Sequence, residues 1–328
     1  MRQLSSLEIN DILDRFDEWL TYTNVVSIDV LPVDADADDL TYELVVGRIS
    51  EDAVAENAKK EAAFGIAPRV MEVPKEVSLR DDDVDAELIE DGLPRALPTR
   101  IVETDEIVED ELVTPLYSDD EDFIEETDAK VRPCPGGYLI KAEGLTGRGT
   151  LGTSISYGGT YRILSNNHVI AKNGNVGKWV FQPNVESTTN RLKKVTDFVF
   201  IKYYASATQT NPTRNVKDVA WCDSDSATSS QKVRGIGNIA GRRSPVVGET
   251  VKVFGGETAA LKTAKIESVT HRYRSNGTLG YSWWKNGIKL DANITQAGDS
   301  GSAYVASSDS KLVGLHRVGG SVSVGAPL

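Results

Sequence analysis

The chain has 328 residues, 40% apolar and 26% charged, with a formal net charge of −13. That length suits one large domain or two moderate ones with a sizeable core. The acidic balance argues against nucleic-acid phosphates and anionic membrane surfaces as partners, and no run reaches the roughly 18 apolar residues of a membrane span.

Residues 5–20 set Leu7, Ile9, Ile12, Leu13, Phe16 and Leu20 at helical spacing, with Ser6 as the expected N-cap. This amphipathic start lacks the apolar stretch of a signal peptide, and a cytoplasmic protein is expected. Strand signals follow in NVVSIDVLPV and LTYELVVGRI, rich in β-branched residues. The DADADD between them is read as a solvated turn, because it lacks the glycine and final glutamate of an EF-hand loop. A helix is expected from Ser50-Glu51 to Gly65, then short strands in RVMEVP and TRIVET. Together these predict a small α+β domain over 1–103.

The acidic excess is concentrated in residues 81–128, and 104–131 reads as an acidic linker ending in VRPCPGG. From 132 to 328 the texture changes to Gly, Ser, Thr and Val. About ten strand signals recur there, from YLIKAE to KLVGLHRV, which predicts an all-β barrel or sandwich. Cys134 and Cys222 are too few for a disulfide framework and are read as separate reduced thiols. Trp283 and Trp284, in GYSWWKNG, are read as hairpin packing, with an aromatic wall for a peptide as the alternative.

Three features of the β-rich part carry chemistry. LSNNHVI puts His168 just after a strand, NVKDVAWCD puts Asp218 at the start of another, and QAGDSGSAYV holds Ser300 in a glycine-flanked turn. A serine hydroxyl is a weak nucleophile until an imidazole takes its proton, and a carboxylate on the other ring nitrogen fixes the imidazole. Glycines beside Ser300 let the chain turn so that the N–H groups of Gly298 and Ser300 converge as an oxyanion hole. A lone GDSG is often a plain turn, and a lone histidine is usually structural. The order His, Asp, Ser in one β-rich region outweighs both bland readings. Asp197, in VTDFVFI, is the competing carboxylate.

These landmarks resemble the trypsin-like serine peptidases, in particular bacterial and plant-related cytosolic members. PGG (135–137), GTLG (149–152), LSNNHV (164–169), DVAW (218–221) and GDSGS (298–302) carry the resemblance, which covers about 132–320. It implies a mainly β fold, a chymotrypsin-like double antiparallel β-barrel preceded by the small α+β domain, with the peptidase domain over 132–328. It also implies His168 as general base, Asp218 as its orienter and Ser300 as nucleophile. No cofactor and no metal are implied; the partners are protein or peptide substrates, and the N-terminal domain is a candidate contact for a regulatory protein.

In that fold the residue six before the nucleophile floors the specificity pocket, and here it is Ile294, which argues against cleavage after Arg or Lys. Thr295 and His316 resemble the pocket of glutamyl endopeptidases, and a hydroxyl with an imidazole can bind a substrate carboxylate. Cleavage after Glu, or Asp, stands beside the bland reading of an apolar pocket with His316 packed in the barrel. Arg317-Val318 departs from the family's H-W-G-G by one inserted residue, which could re-aim the strand. IEETDAK offers self-cleavage after Glu126, whose new N-terminus would pair with Asp299; an internal Arg or Lys on Asp299 is the alternative. A latent or non-catalytic peptidase-fold protein that acts by binding a partner is the rival function.

Overall fold

In a computed structural model of the protein, residues 4–33, 41–63, 69–78, 96–104 and 129–328 are described. The DADADD turn, Gly65, Glu126 and most of the acidic linker lie outside them. The chain divides into two compact units. One comprises Met1–Ile107, Tyr203–Arg214 and Ser268–Gly287; the other comprises Val108–Lys202, Asn215–Glu267 and Ile288–Leu328.

The first unit begins with the helix Ser6–Phe16, continued by a 3₁₀ turn over Asp17–Thr21. Its N-cap is Ser5, one residue earlier than the sequence suggested. Glu8 stands three residues after Ser5, so the two close a capping box: Glu8 N–H donates to Ser5 Oγ and Ser5 N–H donates to Glu8 Oε2. Strands Val25–Pro32 and Tyr42–Arg48 pair antiparallel, and Ala96–Glu103 adds a parallel neighbour. The expected helix runs Glu51–Ala63, with Ser50 Oγ accepting from Ala53 N–H.

RVMEVP is not a strand. The side-chain amide of Asn24 takes the place of a neighbouring strand, accepting from Met71 N–H and donating to Met71 O at 3.0 and 2.8 Å. Leu13, Leu20, Ile28, Leu44, Val46, Leu97 and Trp283 form the core of this unit. Trp283 and Trp284 are both buried, so the aromatic-wall alternative falls away; their strand, Gly280–Leu290, follows Leu261–Gly277 in a hairpin.

The second unit is built almost wholly of short antiparallel strands. Thr153–Tyr157, Thr160–Ser165 and Ala220–Ser224 lie side by side, as do Leu139–Ala142, Trp179–Phe181 and Arg191–Lys194. Farther along the chain, Thr250–Phe254 pairs with residues 261–265 and with Ala303–Ala306. Ala303–Ala306 in turn pairs with Leu312–Val318, and that strand with Val324–Ala326. Two cores fill the unit, one around Ile140, Leu151, Ile163, Val180 and Cys222, the other around Leu164, Val219, Phe254, Val305 and Leu315. DFVFIKYY forms strand only at Asp197–Phe198; beyond it, side chains of Asn173 and Asn215 serve the backbone of Ile201 and Lys202.

The fold is therefore mainly β, with the expected small α+β region at the N-terminus. Cys134 and Cys222 are free and buried among apolar side chains. Burial pushes the Cys134 thiol up to about 12 and the Cys222 thiol higher still.

Candidate active site

His168 sits in the single-turn helix Asn167–Ile170, directly after strand Thr160–Ser165. The two asparagines before it explain the motif. Asn166 Nδ2 donates to Asp218 O at 2.7 Å, and Asn167 Nδ2 donates to Val199 O at 2.7 Å, pinning the helix to two neighbouring segments. Ala220 is paired with Ser165, which carries Asp218, two residues earlier, alongside the helix.

The Asp218 carboxylate spends both oxygens on His168. Oδ1 accepts the backbone N–H at 3.2 Å and Oδ2 meets Nδ1 at 2.5 Å, with both side chains almost wholly shielded from solvent. A carboxylate held this way fixes the ring plane and favours the tautomer whose Nε2 can accept a proton. A third group shares the carboxylate: Arg317 Nε lies 3.1 Å from Oδ2 and is also fully buried. Burial pushes the Asp218 carboxyl up, but the charge and hydrogen bond of His168, the charge of Arg317 and the His168 N–H outweigh it. The carboxyl is held below the usual aspartate value. Asp197 is exposed and its carboxylate caps its own neighbour, accepting from Phe198 N–H.

Ser300 lies in a turn flanked by Gly298 and Gly301, at φ +97° and +95°, a backbone region that favours glycine. Asp299 stiffens the turn from inside: its buried carboxylate accepts from the N–H groups of Glu257, Thr258 and Gln296 and from the Thr258 hydroxyl. None of these donors is a cation, whereas the sequence pointed to a new N-terminus or an internal Arg or Lys. Among the described residues the N–H groups of Gly298 and Ser300 make no hydrogen bond. Ser300 Oγ donates to the carbonyl of Arg317 at 2.9 Å.

The GTLG segment holds this turn beside the histidine helix. Thr150 N–H donates to Ser300 O at 2.7 Å, and Thr150 Oγ1 donates to Gly298 O at 2.9 Å. A Cβ at Gly149 would stand 2.6 Å from Val169 Cγ1 and 2.9 Å from Ser300 O, so the residue after His168 and the Ser300 carbonyl meet across this glycine.

The three expected pocket residues fall into two groups. Ile294 N–H donates to Ser323 Oγ, and Thr295 Oγ1 lies 2.6 Å from the same hydroxyl. His316 is fully buried, with Nδ1 2.9 Å from the Tyr304 hydroxyl. Ser323, Tyr304 and Arg317 were not singled out as site residues by the sequence. Tyr304 stands four residues after Ser300 on the strand Ala303–Ala306, which pairs with the expected pocket wall Leu312–Val318, and only that long-range pairing brings it to His316. The inserted residue noted at Arg317-Val318 appears as a bulge: the register between Leu312–Val318 and Val324–Ala326 shifts between His316 and Val318.

Among curated proteins none matches the chain. The solved structures it is similar to include Protease A of Thermobifida fusca, at 18% identity and TM-score 0.39, covering 59% of this chain and 90% of that one. A homologue of alpha-lytic protease, N4, shows 20% identity and TM-score 0.41 over 59% and 92% of the two chains. A serine protease described as glutamic-acid-specific, with a histidine triad in substrate binding, shows 18% identity and TM-score 0.39 over 58% and 92%. A family model described as Trypsin matches residues 146–327, more than half of the chain. On that match the chain belongs to the trypsin family of serine proteases.

Proposed function

We propose that the chain is a serine endopeptidase in which Ser300, His168 and Asp218 form the catalytic triad. The observation that carries the reading is the buried 2.5 Å contact between His168 Nδ1 and Asp218 Oδ2, beside a glycine-flanked serine turn. In this reading Ser300 Oγ attacks the peptide carbonyl while His168 Nε2 takes its proton. The N–H groups of Gly298 and Ser300 receive the oxyanion, a contribution of roughly 100- to 1000-fold in rate per donor. Collapse of the tetrahedral adduct expels the amine, which leaves with the proton returned by His168. Water then hydrolyses the acyl-enzyme by the same steps in reverse, so no cofactor is required.

The proposed specificity is for Glu, or Asp, before the scissile bond. Thr295 and His316 support it, since a hydroxyl and an imidazole are suitable donors to a carboxylate. The Tyr304 hydroxyl on His316 Nδ1 would hold that ring in one orientation. Ile294 supports the opposing idea of an apolar pocket.

A specific observation favours a second reading, a latent enzyme awaiting a partner. The Ser300 hydroxyl proton is directed to the Arg317 carbonyl, so attack requires the hydroxyl to rotate toward His168. Cleavage mapping in a mixed peptide library, with wild type and Ser300→Ala in parallel, tests all of these. Cuts after Glu that vanish in Ser300→Ala are the expected result. Ser300-dependent cuts after apolar residues would discard the pocket, and no cleavage by wild type would favour the latent form.

A further inference from the structure

The inserted residue of the strand Leu312–Val318 brings an arginine into the centre of the catalytic machinery. Arg317 is fully buried, and its Nε and His168 Nδ1 meet the same oxygen of Asp218, at 3.1 and 2.5 Å, so the two nitrogens are at most 5.6 Å apart. Its own carbonyl accepts the Ser300 hydroxyl. A buried ion pair brings little net stability, because desolvation offsets the attraction. A cation fixed at this spot nonetheless has a large electrostatic effect on whatever shares its partner.

We propose that Arg317 is a positioning residue of the triad, which shares the Asp218 carboxylate with His168 and sets the pH at which His168 gives up its proton. This rests on reading His168 and Asp218 as the catalytic pair. The physical sense is fixed by charge. With Asp218 alone as neighbour, a protonated imidazole is stabilised and holds its proton to higher pH. A permanent cation 3.1 Å from the same carboxylate balances the charge of Asp218 when the ring is neutral and repels the ring when it is charged. His168 is therefore a free base, ready to accept from Ser300, at lower pH than the Asp–His pair alone would give.

Several other ionisable groups close to these elements are placed or paired elsewhere. Lys217 precedes Asp218 and lines a surface cavity with Arg242 and Arg243. Arg148, ahead of the GTLG strand, is paired with Glu257 at 2.7 Å, and Asp299 is enclosed by its own donors. His316, next to Arg317, is engaged with Tyr304.

The test is an NMR titration of the His168 imidazole in wild type, Arg317→Gln and Arg317→Lys, with the resonance assigned by its loss in His168→Gln. The expected midpoint rises by roughly one pH unit or more in Arg317→Gln and returns toward wild type in Arg317→Lys. An unchanged midpoint in a folded Arg317→Gln protein overturns the proposal. Should Arg317→Gln fail to fold, Arg317→Met is read in its place, with the same rise of the His168 midpoint expected and an unchanged midpoint overturning the proposal. Labelling by a fluorophosphonate in the same samples separates this from the peptidase reading. No label on Ser300 in wild type would sink that reading, while the His168 shift, read without any reaction, would still stand or fall by itself.

Discussion

At Gly149 the absence of a side chain matters more than backbone freedom, for its place would be taken by Val169 Cγ1 and the carbonyl of Ser300. A methyl group there must push apart the residue after His168 and the residue proposed as nucleophile. Gly149→Ala is expected to destabilise the protein by about 1–3 kcal/mol, the usual cost of overpacking, and to slow fluorophosphonate labelling of Ser300. Urea denaturation and labelling rates measure the two effects; wild-type values for both would refute the close approach. At this scale the sequence was informative where a motif encodes its own geometry. LSNNHV and GDSGS mark residues whose local turns do the positioning. Arg317 was visible only as an inserted residue, because the direction of a side chain at a bulge depends on the partner strand, which lies elsewhere in the sequence.

At the scale of elements, the first unit is tied together by arginines from the hairpin Leu261–Gly277 and Gly280–Leu290. Arg274 donates to the carbonyls of Leu20, Tyr22, Thr23 and Ala207, while Arg272 is paired with Asp14 and Asp17. Buried carbonyls that lose a charged donor are costly, so Arg274→Met is expected to lower stability by about 3 kcal/mol or more. Urea denaturation followed by tryptophan fluorescence suits this test, since Trp283 packs in the same core. A change below about 1 kcal/mol would mean that water or other groups replace the guanidinium. Local reading found the N-terminal helix, its two following strands and the second helix, since each carries its own periodicity or cap. It failed at RVMEVP, where apolar alternation is present but the side chain of Asn24, not a strand, satisfies the backbone.

For the whole molecule, folding depends on pH through groups whose proton affinity differs between folded and unfolded chains. Asp218 is held below the usual aspartate value in the folded protein. Its contribution is therefore fully present above the unfolded value near 3.9 and is lost as the pH falls through that value toward the lowered native one. The stability gap between wild type and Asp218→Asn is expected to be wide at pH 6 and to narrow at pH 3, as read from urea midpoints. A constant gap would show that Asp218 is not held ionised by its neighbours. The composition of the second unit announced its β architecture. It could not announce that residues 203–214 and 268–287 are grouped with the N-terminal segment, since that grouping arises from long-range pairing such as Ser27 with Tyr273.

The proposed peptidase activity requires that His168 and Asp218 activate Ser300. Its most direct test is intact-mass analysis after brief exposure to a fluorophosphonate, in wild type, Ser300→Ala and His168→Ala. A single adduct mapped to Ser300 in wild type, none in Ser300→Ala and labelling slowed by a factor of 100 or more in His168→Ala is the predicted result, in line with general-base assistance of about 100- to 10,000-fold. Unmodified wild type, or equal labelling of wild type and His168→Ala, would contradict it.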